Sequence, residues 1–124
     1  MNPILNNNFK SSNPLRFDEL WVKIQHTFEL PITIFTLKRQ KANEILEIND
    51  NGILVKTEKG TKLVKIEWIK QAWKNLVNDG ILYRDEHEKS TYRSSFILAL
   101  FSQFNFVQFD LRGRTHIKLK EKVE

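Results

Sequence analysis

Apolar residues recur along this chain at two spacings, and the switches between them mark its elements. Phe17, Leu20, Trp21, Ile24 and Phe28 are three, four, three and four positions apart, which sets them on one stripe of a helix. Asn13-Pro14 offers that helix a start, with an Asn side chain able to cap and a proline in the first turn, where its missing N–H costs nothing. Pro31 stops it after Glu29, and from Thr33 the period becomes two. Ile34 to Leu37 then reads as a first strand, Lys38 to Asn43 as a polar connection, and Glu44 to Asn49 as a second strand with Leu46 and Ile48 on one face. Asp50-Asn51-Gly52 predicts a tight hairpin turn, because Asn-Gly readily takes positive φ. Ile53 and Val55 continue on the return strand, Glu58-Lys59-Gly60 turns the chain again, and Val64 and Ile66 mark a further strand. Lys56, Lys62 and Lys65 take wet positions of this antiparallel meander, where lysines keep strand edges soluble.

Helical spacing returns from Glu67 to Asp79, with Trp68, Ile69, Ala72, Trp73, Leu76 and Val77 on one stripe and Gly80 as the stop. Ile81-Leu82-Tyr83 fits a short strand, Arg84 to Lys89 a charged turn or single helical turn, and Ser90 or Thr91 a cap for the next helix. That helix, from about Thr91 to Phe104, carries Phe96, Ile97, Leu98, Leu100, Phe101 and Phe104 around most of its circumference. At 100° per residue only a narrow wet strip at Ala99, Ser102 and Gln103 is left. Its second half is therefore expected to be buried, and its first turn, Thr91-Tyr92-Arg93-Ser94-Ser95, to be free for a ligand. Phe106 to Asp110 and His116 to Lys120 alternate as paired strands around Leu111-Arg112-Gly113-Arg114-Thr115. Helix, strand, turn, helix and basic hairpin follow one another as in a winged helix-turn-helix. The predicted fold is α+β: a flexible arm over residues 1–13, then a single domain with a helix and β-meander over 14–66 and a winged-helix-like half over 67–124.

Composition narrows what such a domain does. Its 124 residues, 40% hydrophobic with nine Phe and three Trp, suffice for one core. The absence of cysteine excludes disulfides and thiolate metal sites. No apolar run has the length of a membrane span, and Met1 to Asn6 lacks the pattern of a signal peptide, so a cytoplasmic protein is expected. Twenty Lys and Arg against fifteen Asp and Glu leave +5, which fits a polyanionic partner. Arg112 to Glu124 alone holds five basic and two acidic residues. Arg112, Arg114, Lys118 and Lys120 make the hairpin a candidate for phosphate contact, and Tyr92, Arg93, Ser94 and Ser95 at the second helix start are the candidates for a nucleic-acid groove.

Catalytic patterns are missing. No lysine has Asp or Glu two positions before it, so the Glu-x-Lys of metal-dependent nucleases is absent, and the four glycines have no Walker spacing. Ser94-Ser95 lacks the glycine-flanked elbow of an esterase. His26, His87 and His116 are far apart in sequence, which argues against a metal site, and Asp85 to Glu88 reads as a solvated charged turn. The expectation is a non-enzyme without cofactor or metal.

Ile53-Leu54-Val55-Lys56-Thr57, then Ile69 to Leu76 with Asp79-Gly80-Ile81-Leu82, then Tyr92-Arg93-Ser94-Ser95-Phe96-Ile97-Leu98-Ala99-Leu100, resemble small accessory domains attached to bacterial restriction endonucleases and related defence nucleases. The likeness covers roughly residues 34 to 110. A proline commonly follows the second helix in that family, where this chain has Phe104-Asn105-Phe106. The resemblance implies a DNA-contacting role beside a separate partner nuclease, in a bacterial restriction-modification setting. Two functions are therefore expected to compete: a nucleic-acid-binding module for double-stranded DNA, with RNA served by the same cations, and a protein-interaction adaptor or homodimer using Trp68, Trp73 and Phe101.

Overall fold

The stripe of apolar residues at the first helix folds as its spacing predicts. In the computed structural model, which describes residues 15–87 and 93–120, α1 spans Phe17–Thr27 and buries Leu20, Trp21 and Ile24. It starts at Phe17, where the Glu19 carboxylate accepts the Arg16 N–H at 3.0 Å and so satisfies a donor at the helix start. Asn13-Pro14, the arm over 1–13, the capping Ser90 and Thr91, and Tyr92 lie outside the described residues.

Four antiparallel strands follow in the order β1 (Ile32–Phe35), β2 (Ala42–Asn49), β3 (Gly52–Thr57) and β4 (Gly60–Lys65). The first strand begins at Ile32, two residues ahead of Ile34, and Ala42 and Asn43 belong to β2 rather than to the connection. The core face of β2 is also corrected. Ile45 pairs with Val55 and Glu47 with Leu54, so one extra residue, Leu46, is bulged out. Because side chains alternate with a period of two, the bulge lets Asn43 and Ile45 face inward before it and Ile48, opposite the buried Ile53, after it.

The β2–β3 hairpin forms where expected, for a different reason. Its loop residues are Asp50 and Asn51, and the Asn49 side chain accepts the Asn51 N–H at 2.8 Å. Gly52 opens β3 at φ 140°, where an added Cβ would lie 2.1 Å from the Val64 carbonyl oxygen; close backbone approach demands the glycine. Ile66, expected in a strand, instead begins α2 (Ile66–Asp79), its N–H donating to the Asn51 carbonyl at 3.0 Å. Gly80 ends α2 in the left-handed region, donating its N–H to Leu76 at 2.7 Å.

A second antiparallel sheet follows. β5 (Ile81–Tyr83) leads into the single turn α3 (Arg84–His87) and then α4 (Ser94–Phe101), β6 (Val107–Asp110) and β7 (His116–Leu119), with strand order β5-β7-β6. α2 touches β3 and β4 of the first sheet and β5 and β7 of the second, and one cluster of buried side chains runs through both halves. Trp73 joins them: its ring meets Phe101 edge-on at 5.4 Å and Phe106 at 6.2 Å, and its indole N–H donates to the Leu15 carbonyl at 2.8 Å. Trp73 and Phe101 are 3% and 0% exposed, so neither offers the partner surface considered for an adaptor. α4 is shorter than predicted, and the expected wet strip is incomplete because Ala99 is 1% exposed. No helix of the described residues is long and apolar enough to cross a membrane.

Replacing Gly52 with Ala should destabilise the fold by about 3 kcal/mol, the upper end of an overpacking change, because the new methyl meets backbone that cannot yield. Gly80→Ala, whose Cβ meets nothing within 4 Å, should cost only about 1 kcal/mol through its left-handed φ. Urea unfolding of the two variants checks the order.

Candidate nucleic-acid interface

The start of α4 carries polar groups that the helix itself does not use. Arg93 precedes it at φ 64° and ψ 33°, a left-handed conformation that costs a non-glycine residue free energy, and the Arg93 side chain makes no capping hydrogen bond. The first bond within the helix runs from the Ile97 N–H to the Arg93 carbonyl, at 3.0 Å, so the N–H groups of Ser94, Ser95 and Phe96 have no partner within it. These donors give the helix end its partial positive charge. Ser94 is 1% exposed, and its Oγ has no hydrogen-bond partner among the described residues. From Phe96 to Phe101 every residue is buried, so α4 presents only this end to a ligand.

Two turns of the first sheet border the same end. Thr36 organises the β1–β2 connection: its hydroxyl accepts the Lys41 N–H at 2.9 Å, and its carbonyl accepts the Gln40 N–H at 3.0 Å. Leu37 is buried beneath this turn, and the Gln40 side chain donates to the Thr36 and Leu37 carbonyls at 2.9 and 2.8 Å. The β3–β4 turn is held by Thr57, whose hydroxyl donates to the Gly60 carbonyl at 3.3 Å and accepts the Lys59 N–H at 3.1 Å. Between these turns and the α4 start lies a cleft of about 1080 Å³.

The cleft is strongly basic. Lys38, Arg39 and Lys41 line it from the first turn, Lys59 from the second, Lys62 from β4, Arg84 from α3, and Arg93 from the residue before α4. Among the described residues that line it, one carboxylate, Glu58, stands against these seven cations. Glu58 meets Lys41 at 3.6 Å with both side chains more than half exposed, a screened pair worth little. An excess of positive charge around one cleft favours anions there.

The expected hairpin cations are placed differently. Arg112 donates through Nε and Nη2 to Asp110 at 3.1 and 2.8 Å, and its backbone N–H also reaches Asp110, at 2.9 Å. Arg114 donates to both oxygens of Asp85 at 3.1 and 2.8 Å and lies 4.0 Å over the Tyr83 ring. Lys118 and Arg112 line a separate hollow of about 340 Å³ with Asp110 and His116, and Lys120 is exposed beyond it. Of the residues expected to meet nucleic acid, Arg93, Ser94 and Ser95 share the cleft, whereas Arg112, Arg114, Lys118 and Lys120 do not line it.

By sequence alone, Lys38 to Lys41 belong to a basic, polar connection and Lys62 to the wet face of a strand edge. Their convergence with Arg93 depends on the packing of the meander beside α4, which no local pattern encodes. Among the described residues, no group of three or more His, Asp or Glu is placed to hold a metal ion. The chain matches no protein-family model, no curated protein and no solved structure.

Hydrogen bonds from the Arg112 side chain, and then from its backbone N–H, hold the Asp110 carboxyl well below the usual carboxylate range. A depressed carboxylate stabilises the fold above its unfolded value of about 3.9 and loses that contribution as pH falls through the folded value. The stability difference between the native chain and Asp110→Asn should therefore be constant above about pH 5 and shrink in stronger acid. It should also be small, because the Arg112 side chain is 92% exposed. Urea unfolding across that pH range measures both.

Proposed function

We propose that this chain is a non-catalytic nucleic-acid-binding module that holds a phosphate backbone, of duplex DNA first, in the basic cleft at the α4 start. The observation that carries this reading is that, among the described residues, seven cations and one carboxylate line a single cleft beside the start of α4, whose opening N–H groups have no partner within the helix. The order α2, β5, α3, α4, β6, β7 with sheet order β5-β7-β6 supports the winged-helix comparison. One departure shapes the mode of binding. A helix buried from Phe96 to Phe101 has no free flank to lay in a major groove, so contact falls on the backbone more than on base edges. The resemblance to accessory domains of restriction and defence nucleases supports a role beside a separate nuclease.

A second reading, a protein-docking adaptor, is favoured by one feature. Phe109 and Leu111 are 52% and 37% exposed on β6, an edge strand of the second sheet, and its continuation. A dimer that ignores salt, with no affinity for nucleic acid, would support the adaptor.

Fluorescence anisotropy with a labelled duplex at rising salt tests the proposal. Affinity should fall with a log–log slope of roughly −4 to −5, as for about five neutralised phosphates at about 0.9 each. Lys59→Ala with Lys62→Ala should make the slope shallower by about 2, whereas Arg112→Ala, whose guanidinium already faces Asp110, should leave it nearly unchanged. A flat salt dependence, or no binding at low salt, would overturn the reading.

A further inference from the structure

The Ser94 hydroxyl poses a problem that the backbone-binding role does not by itself answer. A buried hydroxyl without a partner loses its hydration and regains nothing, so such a group is kept where something else completes it. Ser94 is 1% exposed, lines the cleft, and has no partner for Oγ among the described residues. It is also the first residue of an eight-residue helix whose opening N–H groups have no partner within the helix. Arg93, lining the same cleft from the residue before, is held at a positive φ that an arginine pays to adopt. Hydroxyl, helix end and guanidinium all favour a compact anion carrying several acceptor oxygens.

We propose that the start of α4 is a seat for one phosphate group, in which the Ser94 hydroxyl and the N–H groups of Ser94, Ser95 and Phe96 donate to its oxygens and Arg93 supplies the charge. This deepens the nucleic-acid reading and rests on it for the source of the phosphate, a diester of the bound strand. The seat fixes where one phosphate sits, while the lysines of the two turns attract the rest of the strand without fixing it. A free phosphate or nucleotide offers the same chemistry, and the experiment separates these sources.

The full chain is studied with inorganic phosphate and with a labelled DNA duplex, beside two variants. Ser94→Ala removes an unpartnered hydroxyl and nearly preserves volume, so its thermal midpoint without ligand should equal or exceed that of the native chain. Arg93→Gly removes the guanidinium at a backbone angle that glycine adopts freely. Inorganic phosphate should raise the midpoint of the native chain and fail to raise that of Ser94→Ala, and duplex affinity should drop roughly tenfold or more in each variant, as for a lost charge-assisted hydrogen bond. Unchanged duplex affinity in both variants, with steep salt dependence retained, would overturn the seat and leave the basic cleft as the binding site. Phosphate stabilisation that needs Ser94, in a chain that ignores duplexes, would uphold the seat for a free phosphate compound and overturn the nucleic-acid reading. Phosphate stabilisation equal in the native chain and Ser94→Ala would overturn the role of the hydroxyl.

Discussion

A helix as apolar as Ser94–Phe101 must be covered on every flank, and most of this structure follows from how that cover is supplied. α2 reaches it through Trp73 against Phe101, and β1 and α3 also touch it. Burying side chains of this size is worth about 1.5–3 kcal/mol each, so leaving any flank of the helix in water would be costly. The meander is therefore fastened to the second half of the chain through a shared core. Its polar turns are consequently carried beside the start of α4, where both line the cleft.

That placement also accounts for how charge is divided. The two arginines of the hairpin form bidentate pairs with Asp110 and Asp85, whereas Lys38, Arg39, Lys59, Lys62 and Arg93 line a cleft with Glu58 as the one lining carboxylate among the described residues. Like charges gathered at a surface repel, and an arrangement of this kind is relieved when an anion enters. Paired arginines gain less from an anion, because the carboxylate must first be displaced.

Much of the architecture was legible from residue spacing. The stripe at Leu20, Trp21 and Ile24, the meander, the left-handed stop at Gly80 and the alternating strands of the closing hairpin all depend on local rules. The misread positions have physical reasons in contacts between segments. The Leu46 bulge turns Asn43 and Ile45 inward ahead of it, Gly52 is set by the Val64 carbonyl, and Ile66 is the last residue tied to the hairpin, through its N–H to the Asn51 carbonyl, and the first of α2. Ala99 is buried by neighbours that helical periodicity cannot see. The candidate site was half legible: Arg93, Ser94 and Ser95 stood out as a polar start to a greasy helix, but Lys38, Arg39, Lys41, Lys59 and Lys62 lie in other segments and join them only through the tertiary fold. The Arg112 and Arg114 pair looked like a phosphate clamp because sequence gives their charge and not their carboxylate partners.

The α4 start and the closing hairpin are the two places where a polyanion could sit. Amide chemical-shift mapping of the labelled chain with a short DNA duplex distinguishes them most directly. With the polyanion at the α4 start, the largest shifts should fall on Arg93 to Phe96 and on Lys38 to Lys41 and Lys59 to Lys62, with little change from Arg112 to Arg114. Shifts concentrated on Arg112, Arg114 and Lys118, with the α4 start silent, would contradict that placement.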